Sequence, residues 1–368
     1  MKIDQINLRH LRMRLRTPFE TSFGRSETRD CILIEAFADG LIGWGECVAD
    51  ADPGYSYETV QTAWHILKDF LFPAILNREL EGPSDLQDRM NFVRGHPMAK
   101  AGLEMALWDL MGKSQRLSLR QLFGGQRERV NVGVSIGIQE SPAALVRTVE
   151  GYLAQGYRRI KIKIKPGRDV ADAQAVRQAY PDLRLQVDAN SAYQLDTAQV
   201  LLPLDNLNLL LIEQPLPEDD LWDHSQLQKK FKTAICLDES ILSARHARQA
   251  LEMKACRMIN IKAGRVGGLR EGIAIHDLCW AQKIPVWCGG MLETGVGRAS
   301  NLALASLPGF ILPGDISASE RYYLEDVTQD SFTLNPDSTI TVPSDPGLGV
   351  SINPEALKRV TVSKISIP

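Results

Sequence analysis

The sequence has no Cys-x-x-Cys pair, and its six cysteines (Cys31, Cys47, Cys236, Cys256, Cys279 and Cys288) are scattered without zinc-like spacing. This argues against a disulfide framework or a zinc centre and fits reduced, buried thiols in a cytoplasmic protein. No stretch approaches the roughly 18–20 uninterrupted apolar residues of a membrane helix, and the N-terminus lacks the charged-then-apolar layout of a signal peptide. An excess of one charge is also missing: 42 Lys+Arg against 45 Asp+Glu leave −3, with both signs interspersed. Nucleic acid and anionic membranes are therefore not expected partners. With 368 residues, 44% of them apolar, the chain can form one large domain of about 250 residues and a smaller one of about 100–120.

Two different periods divide what is present. Residues 1–125 read as an α+β cap. Leu8 to Leu15 alternates apolar residues with Arg, shifted once at Arg9-His10, which predicts a strand with a bulge and a solvated basic face over Arg9–Arg16. Cys31–Phe37 and Leu41–Val48 form a second pair of strand candidates around the turn Asp39-Gly40. Helical periodicity follows at Tyr57–Phe70, Ser84–Val93 and Met98–Met111. Residues 126–322 instead repeat a short aliphatic run followed by an amphipathic helix. The runs are Val130–Ile136, Arg159–Ile164, Leu183–Asp188, Leu209–Glu213, Ala234–Asp238, Met258–Lys262, Ile284–Cys288 and Phe310–Pro313. Eight such units predict an α/β protein, a (β/α)8-type barrel with an N-terminal α+β capping domain. After about residue 323, Leu334 and Thr339–Val342 are strand-like and are expected to rejoin the cap.

Lys163, Asp188, Glu213, Asp238 and Lys262 end consecutive strand candidates at separations of 25, 25, 25 and 24 residues. One βα unit has that length, so the five are expected to recur at one height and converge at the C-terminal mouth, where barrel enzymes keep their chemistry. Three converging carboxylates cannot all ionise without a countercharge, which points to a hard divalent cation, Mg²⁺, with Mn²⁺ a substitute. Lys163 and Lys262 fall four strands apart and face one another across the mouth. A small-molecule carboxylate bound between them presents its α-carbon to both, and removal of an α-proton leaves an enediolate that a cation stabilises. Lys161 is expected to lower the pKa of Lys163 by like-charge repulsion.

These features identify the sequence as resembling the enolase superfamily, muconate-lactonizing subgroup, over essentially the whole chain. The resemblance implies that Lys163 and Lys262 are the acid/base pair and that Asp188, Glu213 and Asp238 bind Mg²⁺; the pairing of a lysine base with Mg²⁺ is a known pattern of this superfamily. The His–Asp dyad of the mandelate-racemase subgroup has no counterpart at Trp287-Cys288-Gly289-Gly290. Within the subgroup, Pro18-Phe19-Glu20-Thr21-Ser22-Phe23-Gly24, Gly43-Trp44-Gly45-Glu46-Cys47, Lys161-Ile162-Lys163-Ile164-Lys165-Pro166-Gly167, Gly264-Arg265-Val266-Gly267-Gly268 and Gly289-Gly290-Met291-Leu292-Glu293-Thr294-Gly295 resemble the o-succinylbenzoate synthase/N-succinylamino acid racemase family. The resemblance implies syn dehydration of a cyclohexadiene carboxylate in menaquinone synthesis, racemisation of N-succinylamino acids, or both. It also implies an even-numbered homo-oligomer, although no stretch marks an interface. Dehydration needs one acid/base lysine and racemisation needs two. A dipeptide epimerase would carry Asp-x-Asp where this chain reads Asp315-Ile316-Ser317, a muconate cycloisomerase matches the loops less well, and a non-catalytic metal-binding barrel would lack one of the five residues.

Around this centre, Ser135 and Asn190 are expected to point into the mouth, either binding substrate or filling strand-end hydrogen bonds. Glu239 follows the third carboxylate. Arg265 either tunes Lys262 or serves as a helix-capping or solvent-paired cation. Gly289-Gly290-Met291 suggests close backbone approach to a ligand, and the helix opening at Gly295-Val296-Gly297 offers N–H groups to a succinyl carboxylate. Phe19 to Gly24 reads as a lid loop or as a turn buttressed by two phenylalanines.

Overall fold

The computed structural model describes Met1–Pro368 throughout. The cap begins as an antiparallel meander of β1 (Gln5–Thr21), β2 (Gly24–Ala38) and β3 (Leu41–Cys47). Asp39 and Gly40 both take positive φ, 51° and 76°, the pair that matches the twist of a two-residue hairpin. Against the C-terminal strand, the register of β1 shifts between His10 and Leu11, one residue from the predicted bulge. Helices Val60–Ile66, Pro83–Met90 and Pro97–Gln115 cover one face of this sheet; the first continues through a π-turn, Leu67–Leu71, into Phe72–Ile75. The glycines of Gly43-Trp44-Gly45 have a packing reason. A Cβ on Gly45 would run into the carbonyl of Gly102 and lie 2.7 Å from the Ala106 nitrogen, so β3 rests backbone-to-backbone on Pro97–Gln115.

The larger part is a curled parallel sheet with helices outside it. Its strands are β5 (Val134–Ile136), β6 (Arg159–Lys163), β7 (Arg184–Asp188), β8 (Ile212–Glu213), β9 (Ile235–Leu237), β10 (Met258–Ile261) and β11 (Val286–Cys288), in that order round the ring. The eighth run makes only single bridges, Phe310 to Val286 and, just past its end, Gly314 to Val132, yet these join β11 to the residues immediately before β5 and complete the circuit. Pro308 and Pro313 flank that segment and lack the N–H groups a ladder needs.

Three strand expectations are corrected. Val130–Ile136 is two elements, β4 (Arg129–Asn131) and β5, broken where a Cβ on Gly133 would strike the Arg159 guanidinium. Leu209–Glu213 contributes only Ile212–Glu213. Thr339–Thr341 is β12, and it pairs with β4 beside the N-terminal end of the barrel rather than with the cap; Thr361–Ile367, β13, is the strand that pairs with β1. The Phe19–Gly24 segment is a hairpin tip rather than a free loop, since Phe19 pairs with Ser26, Glu20 with Arg25 and Thr21 with Gly24.

Candidate active site

Period-two alternation on β6 sends Ile160 and Ile162 toward the helices and Arg159, Lys161 and Lys163 into the ring, where all three cations are buried. Arg159 donates to Asp315 (2.6 Å) near the closing segment. Lys161 reaches Asp188 (3.0 Å), Glu213 (2.9 Å) and Asp315 (2.6 Å), and Lys163 reaches Asp188 and the Asn190 amide oxygen, both at 2.6 Å. Lys165 lies beyond the strand and pairs with Glu20 of the hairpin tip at 2.9 Å.

The five spaced residues do converge at one mouth, but their equal spacing is not one hydrogen-bond register. Lys163, Asp188 and Glu213 are direct partners across β6, β7 and β8, whereas Glu213 pairs with Cys236 and Leu237 with Ile259. Asp238 and then Lys262 each sit two positions further along. Strand tilt in a barrel requires such a stagger, and steps of two keep the side chains on the inner face.

Lys262 donates to Asp238 (2.7 Å) and to the Tyr55 hydroxyl (3.0 Å), with its ammonium 4.7 Å from the Tyr55 ring centroid. Arg265 is buried on the other oxygen of Asp238 and also donates to the Ile241 (3.1 Å) and Asn260 (2.9 Å) carbonyls. It is thus neither solvent-paired nor a helix cap; two cations share one carboxylate, and Arg265 opposes the charge of Lys262.

Burial raises every carboxylate here, and the neighbours decide the outcome. Asp188 is drawn back down to about 2 by Lys163 and Lys161, and Arg265 with Lys262 holds Asp238 well below the usual range. Glu213 is pushed up to about 8 by burial and by the charge of Asp188, and Glu239 to about 8 by burial and Asp238. The three candidate metal ligands therefore repel one another. They are not gathered round a single point; Lys161, Lys163 and Lys262 are hydrogen-bonded among them. As buried oxygen donors in mutual repulsion, they match a hard divalent cation in chemistry.

Other expected residues are placed as follows. Ser135, on β5, and Phe19 line the recess beside Lys163 and Lys262, and Asn190 bridges Lys163 to Glu239, to which it donates at 2.8 Å. Lys161 is paired with three carboxylates and shares one of them, Asp188, with Lys163. Gly290 and Met291 line the chamber's cap side, yet the space at the glycines belongs to protein, since Cβ atoms would meet Asn260 at Gly289 and the Asp315 carbonyl at Gly290. The N–H groups of helix Gly295–Ala305 are also taken: Thr294 and Gly297 donate to Glu46 (3.1 and 3.0 Å), Gly295 to Asp326 (2.9 Å) and Val296 to the Thr294 hydroxyl (3.2 Å). No succinyl carboxylate is held there.

The sequence reading missed Tyr55, Asn260 and Arg321 and noticed Asp315 only as a motif fragment. Tyr55 comes from an aperiodic cap segment, and Asn260, which donates to Glu213 at 2.8 Å, lies mid-strand. Asp315 follows the closing segment, a place where a barrel reading could have looked for it.

Residues 3–124 match the mandelate racemase/muconate lactonizing enzyme N-terminal domain family, and residues 144–356 match the enolase C-terminal domain-like family. An o-succinylbenzoate synthase of Geobacillus kaustophilus is 50% identical over 362 residues, covering 98% of this chain and 96% of its own. An N-succinylamino acid racemase of Amycolatopsis sp. is 47% identical over 368 residues and the full length of both. Among solved structures, an enolase-superfamily member from Listeria innocua superposes with a TM-score of 0.95 at 41% identity, covering 100% of this chain and 99% of that one. The chain belongs to the enolase superfamily, with o-succinylbenzoate synthases and N-succinylamino acid racemases among its full-length relatives.

Proposed function

We propose that the protein is a cytoplasmic, Mg²⁺-dependent o-succinylbenzoate synthase of menaquinone synthesis, and that the same site racemises N-succinylamino acids. The observation that carries this reading is the lysine pair: Lys163 on β6 and Lys262 at the end of β10 line one recess, each held by its own carboxylate. A carboxylic acid whose α-carbon lies between them offers one face to each lysine side chain.

Asp188, Glu213 and Asp238 are the residues that would hold the cation. When bound, Mg²⁺ acts as a Lewis acid that offsets negative charge growing on the substrate carboxylate. Lys163, as the free amine, takes the α-proton and returns it to the departing hydroxyl group on the same face, which accounts for syn loss of water with one acid/base group. Lys262 opposes it; burial would lower its pKa, but Asp238 outweighs burial and keeps it raised, so it stays charged and stabilises developing negative charge. Racemisation asks more of it, because Lys262 must deliver a proton to the second face. The hairpin tip closes the cap side, with Phe19 and Phe23 beside the chamber and Ser22 donating to the Asn190 carbonyl at 3.1 Å.

A dedicated N-succinylamino acid racemase is the second reading, favoured by the symmetric support of the two lysines. The deciding experiment measures kcat/KM with Mg²⁺ on the cyclohexadiene substrate and on N-succinyl-L-phenylalanine. Strong dehydration supports the synthase; efficient racemisation with negligible dehydration makes the protein a racemase. In D₂O, Lys163→Ala is expected to abolish both activities and Lys262→Ala to abolish racemisation; racemase activity retained in Lys262→Ala would refute the two-base assignment.

A further inference from the structure

Strand β8 ends at Glu213, and the residue after it leaves the extended conformation. Gln214 is fully buried and takes φ 35°, a left-handed backbone that a glutamine adopts only under constraint. The turn divides its main-chain hydrogen bonds between two neighbours. Its N–H donates to the Cys236 carbonyl of β9 (2.9 Å), whereas its carbonyl faces the other way and accepts from the Ser191 nitrogen just past β7 (2.8 Å). In a regular parallel ladder both groups of one residue bond the same neighbour, so β9 is left without the carbonyl it would otherwise meet. Pro215 follows and has no N–H with which to continue the ladder.

The Gln214 side chain supplies what its backbone withholds. Its Oε1 accepts from the Asp238 nitrogen (2.9 Å) and the Ser240 nitrogen (3.3 Å), and its Nε2 donates to the Ser240 hydroxyl (2.7 Å) and the Leu216 carbonyl (3.1 Å). On the β7 side the chain is equally constrained: Asn190 and Ser191 also take positive φ, 43° and 61°, and the Asn190 nitrogen donates to the Asp188 carboxylate at 3.1 Å. Gln214 thus follows one carboxylate of the triad, fixes through its carbonyl the turn after the second, and fixes through its amide the strand end that carries the third. The lysines hold the carboxylate side chains, and Gln214 holds the backbone from which they project. Strain at non-glycine residues persists only where the surroundings over-determine it, and here it lies at the residues that join these strand ends.

We propose that Gln214 is a positioning residue that fixes the spacing of the three carboxylate-bearing strand ends and so makes the site discriminate a small divalent cation from a larger one. This rests on the reading of Asp188, Glu213 and Asp238 as cation ligands. Gln214 acts through their main chain and lends no donor of its own, since both polar atoms of its amide are committed. Rigid spacing matters unequally to different cations. Mg²⁺ demands near-ideal octahedral geometry at about 2.0–2.1 Å, whereas Ca²⁺ accepts oxygen ligands at about 2.3–2.6 Å in flexible arrangements. Loosening the strand ends therefore harms Mg²⁺ binding more than Ca²⁺ binding.

Calorimetric titration of the EDTA-stripped, dialysed protein with Mg²⁺ and with Ca²⁺ reads both affinities without turnover. Gln214→Asn tolerates the left-handed backbone but stops one methylene short of Asp238. It is expected to weaken Mg²⁺ binding about 10- to 100-fold and Ca²⁺ binding by at least about threefold less, so that the ratio of the two affinities falls. Ser240→Ala removes only the hydroxyl that anchors the amide and should move the ratio in the same direction by less. Circular dichroism at the titration temperature checks folding, and Ser240→Ala decides the matter if Gln214→Asn does not fold. General loosening of the protein would weaken both cations in proportion. A ratio that is unchanged or raised in every folded variant would thus overturn the positioning role and leave the triad standing as the cation site. A wild-type protein that binds neither cation would instead refute the cation reading, and the proposal with it.

Discussion

Replacement of Lys161 by Met tests whether the buried charges of the mouth are balanced as the geometry indicates. Met keeps most of the unbranched stem and removes one ammonium group from Asp188, Glu213 and Asp315. Two of these carboxylates retain a cation at 2.6 Å, Asp188 from Lys163 and Asp315 from Arg159. Glu213 retains only the Asn260 amide at 2.8 Å. The variant therefore strands one buried carboxylate, and breaking a buried pair in this way costs about 3–5 kcal/mol. Glu213 can relieve part of that cost by taking up a proton. Its pKa is already raised from the ordinary carboxylate value to about 8, and Lys161 is among the groups holding it down, so the substitution raises it further. A group whose folded pKa is raised contributes stability that is complete below about pH 4.5 and is lost as pH rises through the folded value. The gap between wild type and Lys161→Met should consequently approach about 3 kcal/mol at pH 9 and narrow toward pH 6. Urea unfolding in EDTA, followed by tryptophan fluorescence, reads it directly, with Trp287 as a local reporter 4.9 Å from the Lys161 ammonium. A gap under about 1 kcal/mol at pH 9, or one that widens as pH falls, would refute the charge balance.

Chelation by EDTA is expected to remove activity and Mg²⁺ to restore it, and turnover indifferent to chelator would remove the carboxylate triad from the mechanism. Glu104, on the cap helix Pro97–Gln115, accepts from the Leu269 and Arg270 nitrogens of a barrel helix and is pushed by burial up to about 7. Its stabilising contribution is complete below about pH 4.5 and declines as pH rises through about 7, so Glu104→Gln should flatten the fall in unfolding free energy between pH 5 and 8 by up to about 3 kcal/mol; urea midpoints with an unchanged pH slope would contradict this. Gly45→Ala would force β3 off the helix it rests on and is expected to cost about 3 kcal/mol, measurable as a lowered urea midpoint.

Legibility differed between backbone pattern and site geometry. Period two on β6 and the interval of 24 or 25 residues depend only on local geometry and the length of a βα unit, so the alternation of elements and the inward-facing lysines and carboxylates could be read from the chain. Segments whose hydrogen bonding depends on distant partners were harder to read. Val130–Ile136 is divided by the Arg159 guanidinium over Gly133, the eighth strand is reduced to bridges between prolines, and the strand returning to the cap lies beyond the one that looked most strand-like. The helix opening at Gly295 reads as an anion site in isolation, yet Glu46 from the cap already occupies it.

The sequence alone determined the identity and order of the chemical groups: two lysines, three carboxylates and the strands that carry them. Tertiary structure decided how their charges are distributed. Lys161 is paired with three carboxylates and shares Asp188 with Lys163, Arg265 and Tyr55 join Lys262 at Asp238, and Ser135 with Arg321 is left with donors to spare. Coulomb energy and hydrogen bonding depend on separations of a few ångströms between residues far apart in the chain, and those separations exist only once the ring has closed and the cap has docked.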